Sequence, residues 1–493
     1  MIWVYRILFL PAVICSLPYH LWRMWRRGGY RHDFHHRFGL VDRPPPKAPG
    51  VKRLWIQAVS VGEAQALGPL LARLREQPNL EIILTTTTST AYQIIREKYA
   101  RDVLKVGIFP LDFWPFSRSA WRRLEPDLAV LMEGELWPEH LHQARARGVP
   151  VALINARMSN RSFERYQQAS GVARWILRQV QLVLCATPSD HERFVALGAD
   201  PAHTILTGSL KLDVKVGPAL TAAERAALRE ELGFGVETTI QDSKFKIQNP
   251  AAQSPMPLRN PGDALKGEST VQDSKFQLPT SNFSSPLPAH GSPLPLVLLG
   301  SSTWPGEEAV LLEALNEALA AGLDARLLLV PRHAERRREL IAWLEKQPLP
   351  FHVRSQSAQA PQPVKIYLGD TTGELARLSQ AADLAFIGKS LPPHDGGQTP
   401  IEAAALGLPL IFGPRMSNFK DIARQLVETG AARRVQDVAD AKANLLGLLH
   451  DPASRVRMGH AGRTWHAASQ GATGRTAAAL RELLTKWDGA SIS

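Results

Sequence analysis

Cysteine is scarce in this 493-residue chain, with Cys15 and Cys185 as its only thiols. Two cysteines cannot build a disulfide framework or a cysteine-rich metal site, which fits a reducing compartment. Aromatic-basic RNA motifs and zinc-finger spacings are missing, so nucleic acid is not an expected partner. A long uninterrupted apolar run is missing too, the best one being at the short limit for a spanning helix. It runs from Ile2 to Trp22 and is broken by Arg6, Pro11, Pro18 and His20. A cleavable signal peptide carries its charge ahead of the apolar core. Here Arg23, Arg26, Arg27 and Arg31 follow it, so secretion is not expected.

The apolar fraction, 44%, permits sizeable cores, and the length allows two or three domains. The net charge is +12, and residues 1–50 supply half of it, with seven Arg and one Lys against two Asp. Basic residues beside an apolar run read first as a membrane-surface feature. If the run spans, the following arginines hold the rest of the chain in the cytoplasm. If it does not, Trp3, Tyr5, Trp22 and Trp25 suit an interfacial helix on anionic lipid. The third reading is a core helix of the first domain.

Short apolar segments recur along the chain. Strands are expected at Leu54–Val59, Glu81–Thr86, Leu104–Phe109, Leu128–Met132, Val151–Ile154, Leu182–Cys185 and Thr204–Leu206. A helix is expected over 64–75. Residues 235–295 break the pattern with Pro, Ser, Gln and Asn, and Gln-Asp-Ser-Lys-Phe occurs twice there. That composition reads as a disordered insertion. Strands resume at Leu296–Leu299, Arg326–Val330, Ile366–Leu368, Leu384–Ile387 and Pro409–Phe412, with a helix over 307–323 and helix from about Asn418 to the end. Alternating strands and helices indicate βαβ units and a mainly parallel sheet.

The expected architecture is α/β, with two Rossmann-like halves facing a cleft. Residues 1–40 form a membrane-associating helix and basic segment, 41–220 the first half, 296–425 the second and 426–493 C-terminal helices. Ligands in such sheets sit beyond the C-terminal strand ends. Glu63, Glu133, Arg157 and Lys211 all follow strand-like segments and are candidates to line one crevice. In the second half, Gly396-Gly397-Gln398-Thr399-Pro400-Ile401-Glu402 is a glycine turn entering a short helix. Such a turn lets backbone amides approach an anion, while an acid such as Glu402 accepts hydrogen bonds from sugar hydroxyls. A nucleotide-linked ligand is therefore expected.

The order of motifs resembles a known family. Ser60-Val61-Gly62-Glu63, Met132 to Pro138, Asn155 to Ser159 and Leu206 to Asp213 are similar to the N-terminal half of the 3-deoxy-D-manno-octulosonic acid (Kdo) transferases. Ser302-Thr303, Pro331-Arg332-His333, Gly369 to Leu375, Gly396 to Glu402, Gly413-Pro414 and Asn418-Phe419 are similar to the C-terminal half. The resemblance covers nearly all of the chain except the insertion. It implies a glycosyltransferase-B fold and inverting transfer of Kdo from CMP-Kdo to a lipid A precursor, without metal or other cofactor. It also implies inner-membrane lipid as a partner and a place at the cytoplasmic face of that membrane.

The resemblance implies roles residue by residue. Glu63 is the general base, and the alternative for it is a helix-start acid. Glu133 and Lys211 stabilise the transition state. Glu135 could replace Glu133, Arg157 could be the partner of Glu133, and Lys211 could be a solvated loop residue. Pro331, Arg332, His333, Thr372, Gly373, Glu374, Thr399, Pro400, Ile401 and Glu402 contact CMP. Four positions depart from the family pattern: Gln398-Thr399 replaces His-Asn, Ala403 replaces Pro, and Thr372 replaces Met. Two rivals remain at this stage. One is another nucleotide-sugar transferase or epimerase of the same architecture, and the other is a catalytically degenerate membrane scaffold.

Overall fold

In the computed structural model, residues 1–26, 32–214, 217–235 and 295–487 are described. Most of the expected insertion, together with Arg27 and Arg31, lies outside these residues. The first sheet contains β1 (Lys52–Ala58), β2 (Leu80–Thr86), β3 (Lys105–Ile108), β4 (Leu128–Met132), β5 (Val151–Ala156), β6 (Leu182–Cys185) and β7 (Thr204–Leu206). Its order is β3-β2-β1-β4-β5-β6-β7. The second contains β8 (Leu296–Thr303), β9 (Ala325–Pro331), β10 (Phe351–Val353), β11 (Ile366–Leu368), β12 (Leu384–Ile387), β13 (Leu410–Phe412) and β14 (Ala432–Arg434). Its order is β10-β11-β9-β8-β12-β13-β14, and every pairing in both sheets is parallel.

Parallel strands covered on both faces need apolar side chains on both sides. Leu54 and Ile56 of β1 pack into one helix layer, while Trp55 packs into the opposite one with Phe109 and Trp121. The second sheet repeats this, with Leu299 on one face and Leu298 on the other. Each such side chain contributes about 1.5–3 kcal/mol by leaving water. The order reverses between β1 and β4, and again between β8 and β12. These switch points open the crevices in which doubly wound sheets bind ligands.

Two expectations need correction. The helix expected over 64–75 is two helices, Val61–Ala66 and Gly68–Arg75, with Pro69 in the first turn of the second. Proline has no N–H to continue the first helix and fits the opening turn of a new one. The chain is not helical throughout from Asn418, because β14 pairs with β13. The final helix, Ala472–Lys486, packs on the first half. Its Ala472, Ala477, Leu480 and Leu484 join the core of the first sheet.

The N-terminal helix, Ile2–Arg26, docks on the first half. Tyr5 donates to Asp112 at 2.6 Å, Arg6 pairs with the buried Glu139 at 2.8 Å, and Phe9 stacks on Phe113. Trp3, Val4, Ile7, Leu8 and Ile14 stay exposed. Among the described residues, no helix is long and apolar enough to cross a membrane.

Candidate active site

The first half places its polar groups at the β1/β4 switch point. After β1, the Val59 carbonyl accepts the hydroxyls of Thr86, Thr87 and Thr88 at 3.2–3.3 Å. Ser60 caps the next helix by accepting from the Glu63 N–H at 3.2 Å. The Glu63 carboxylate reaches back to accept from the Val59 N–H and the Ser60 hydroxyl, both at 2.8 Å. Glu63 therefore does act as a helix-start acid, inside the first turn rather than ahead of it. It is also 5% exposed, and its pKa is raised above the ordinary carboxylate value. Burial is the larger cause and the Glu133 charge the next, with the hydrogen bonds and Lys211 pulling the other way. Such a group binds a proton more readily than an exposed acid, as a general base requires.

After β4, Glu133 takes a left-handed backbone, φ 56°, which is unusual for glutamate. Its Oε1 lies 2.8 Å from Lys211 Nζ and 3.4 Å from Asn155 Nδ2. Lys211, not Arg157, is thus its ion-pair partner, and Lys211 is not a solvated loop lysine. The Arg157 charge acts instead on Asp190, whose carboxyl it pulls down against the larger effect of burial. The Glu135 carboxyl is pushed up to about 7, by burial first and then by Glu63 and Glu133. Three carboxylates and one lysine therefore share this end of the sheet.

Lys211 sits in the turn Leu210–Asp213. Leu210 belongs to the core of the first half and Leu212 to that of the second. The lysine is held where the two halves join.

The second half is organised by Glu307, which the sequence reading missed as a site residue. This buried carboxylate accepts four backbone N–H groups, from Trp304 at 2.9 Å, Lys389 at 2.8 Å, Ser390 at 3.0 Å and Leu391 at 3.2 Å. It ties the loop after β8 to the loop after β12, across the switch point. The signal for it was an acid in the first turn after a strand, the same placement as Glu63.

Trp304 forms the hub of that loop. His333 meets its ring at 5.2 Å, His394 at 5.3 Å, and Lys389 Nζ lies 4.8 Å from its centroid. Pro331 is buried, whereas Arg332 and His333 are exposed. The Arg332 N–H donates to Thr303 at 3.1 Å, and its guanidinium has no partner among the described residues. Gly397 N–H donates to Lys389 and Gln398 N–H to Gly388, both at 3.0 Å, so the glycine turn joins the same loop. Gly396 and Gly397 have φ 112° and 67°. A β-carbon there would lie 2.6 Å from Asn418 and 2.3 Å from Met416, so only glycine fits.

Thr399 accepts from the Ile401 N–H at 3.4 Å, and Pro400 precedes the helix Ile401–Leu406. Glu402 is half-buried, has no hydrogen-bond or ion-pair partner among the described residues, and its pKa is raised by burial. It is free to accept hydroxyl donors. Glu374 is not. Arg354 binds both its oxygens and Thr371 binds one, which holds it below the ordinary carboxylate range. Thr372 and Gly373 are exposed on the turn before it. No hydrogen bond or ion pair among the described residues links Glu374 to the Trp304 hub.

Metal-like spacing occurs among the described residues at Asp33, His35 and His36, and none of the site acids takes part. His36 Nδ1 accepts the Ile108 N–H at 3.3 Å, which leaves the proton on Nε2 of the neutral ring. The Nδ1 lone pair is thus already engaged by a backbone N–H. The chemistry available is therefore a carboxylate–lysine cluster on one side and cations, a glycine turn and a free carboxylate on the other.

The family model described as 3-deoxy-D-manno-octulosonic-acid transferase (kdotransferase) matches residues 32–214. Among solved structures, a UDP-GlcNAc 2-epimerase from Neisseria meningitidis is 12% identical and covers 88% of this chain and 100% of its own, at TM-score 0.53. That likeness is one of fold. The C-terminal CMP-Kdo binding domain of WaaA from Acinetobacter baumannii is 29% identical and covers 34% of this chain and 88% of its own, at TM-score 0.33. A 3-deoxy-D-manno-octulosonic acid transferase of Bordetella pertussis is 34% identical over 475 residues, which is 94% of this chain and 95% of the relative. With that identity over almost its whole length, the chain belongs to the 3-deoxy-D-manno-octulosonic acid transferase family.

Proposed function

We propose that this chain transfers Kdo from CMP-Kdo to a lipid A precursor, lipid IVA, in lipopolysaccharide core biosynthesis. The reading rests above all on Glu63, a buried base-like carboxylate beside the Glu133–Lys211 pair at a switch point. The 6′-hydroxyl of the acceptor's glucosamine disaccharide attacks the anomeric carbon of Kdo. Glu63 takes the hydroxyl proton as the new C–O bond forms. The bond from that carbon to the CMP phosphate oxygen breaks, and the electron pair leaves with CMP. Attack opposite the leaving group inverts the anomeric centre. Lys211 and Arg332 offset the growing phosphate charge, and Glu133 offsets positive charge on the sugar. Glu402 accepts from the cytidine ribose, and the glycine turn gives CMP close access to backbone amides.

The acceptor is a lipid, and Trp3, Val4, Ile7, Leu8 and Ile14 are exposed on a helix whose sequence runs on into Arg23, Arg26 and Arg27. That arrangement suits a helix lying in an anionic interface at the cytoplasmic face of the inner membrane. The test is mass spectrometry of lipid IVA after incubation with the purified protein, CMP-Kdo and UDP-GlcNAc together. Gain of Kdo mass alone is the expected result. Gain of N-acetylglucosamine, or no gain, contradicts the reading.

A further inference from the structure

The mechanism uses Glu63, Glu133 and Lys211 but leaves unexplained what keeps them in register. They come from three segments separated by 70 or more residues. Asn155 touches two of these segments. It is fully buried at the end of β5, with φ 48°. Its Nδ2 donates to Glu133 Oε1 at 3.4 Å, and its Oδ1 accepts from the Leu210 N–H at 3.1 Å. Leu210 is the residue before Lys211. One amide group thus holds both partners of the 2.8 Å Glu133–Lys211 pair.

Both bonds to the Glu133 carboxylate land on Oε1, the oxygen that also meets Lys211. Its Oε2 has no partner among the described residues. The clamp therefore fixes one oxygen and leaves the other for the reaction. Glu133 and Asn155 both carry left-handed backbones at the ends of adjacent strands, and the Glu133 N–H donates to Ile154 at 3.0 Å. Non-glycine residues held in that region gather at functional sites, and asparagine enters it more easily than glutamate does.

We propose that Asn155 is a positioning residue for Kdo transfer, its side-chain amide locking the Glu133–Lys211 pair beside Glu63. This rests on the functional reading above and adds a named part to it. An amide suits the position because its NH2 donates to Glu133 while its separate oxygen accepts from the Leu210 N–H. Aspartate keeps the acceptor but sets a negative charge against Glu133. Glycine keeps the left-handed backbone but has no side chain.

The experiment compares Asn155→Gly and Asn155→Asp with the parent protein. Transfer kinetics are measured with CMP-Kdo and lipid IVA. The Glu63 carboxyl is titrated in parallel by carbon-13 NMR. A displacement of about 1 Å in such a site costs on the order of 100-fold. Both variants are expected to lose kcat on that scale, with the KM for CMP-Kdo within about twofold of the parent. The groups facing Glu63 are Glu133, Glu135 and Lys211. Release of Lys211 removes its lowering influence, so the Glu63 titration moves to higher pH. A purely conformational role predicts a parent-like rate and titration in Asn155→Gly, and that result overturns the proposal. So does an Asn155→Asp variant that matches the parent in both. If the parent transfers no Kdo, the functional reading fails, while the NMR titration still decides the role of Asn155.

Discussion

Glu63 and Glu135 are both carboxyls that burial and neighbouring carboxylates push up, Glu135 to about 7. Such a group binds its proton more tightly in the folded chain than in the unfolded one, whose value is near 4.5. The folded state is therefore penalised progressively as pH rises from about 4.5 to 7, and in full above that. Glu135→Gln removes the penalty. Its melting temperature is expected to exceed the parent's at pH 8 and to match it near pH 4. An equal change at both values would show that Glu135 is not the group being titrated.

At the scale of elements, strand ends decide where chemistry is found. Gly397 illustrates this, since its turn ties β12 to the donor side and leaves no room for a β-carbon against Met416. Gly397→Ala adds a strained φ to that clash. It is expected to destabilise the second half by about 1–3 kcal/mol and to weaken CMP binding at least tenfold, read by denaturant unfolding and calorimetry. Binding left unchanged would remove this turn from the donor site.

Most strands were legible because parallel strands buried on both faces read as continuous apolar runs. The exceptions have physical causes. Phe351–Val353 is an edge strand interrupted by His352, and Ala432–Arg434 carries two arginines on the opposite edge. Glu63 stood out through its motif, whereas the work of Glu307 depends on backbone groups more than 80 residues away. The Glu374 partner, Arg354, lies 20 residues off, and no local pattern announces it. Long-range pairing was the part the sequence kept hidden.

The whole molecule is two sheets with reversals at corresponding places, stitched near Lys211. Asp213 accepts the N–H groups of Gly471 and Thr473 at the start of the final helix, and Arg475 donates to the Thr207 carbonyl at 2.8 Å. Asp213→Ala removes a helix cap of about 1 kcal/mol and frees the turn that carries Lys211. The expected outcome is a melting point a few degrees lower and a kcat drop larger than the stability loss explains, measured well below the melting range. A lower melting point with unchanged kcat would confine Asp213 to a structural role.

The central claim is that Glu63 performs base catalysis of Kdo transfer from within this cluster. Its most direct test is the rate at which Glu63→Gln converts lipid IVA to Kdo-bearing product with CMP-Kdo, quantified by mass spectrometry beside the parent. The account predicts a loss of about 10²–10⁴-fold, with CMP binding intact and a melting temperature no lower than the parent's at pH 7. Near-normal transfer by that variant would contradict it.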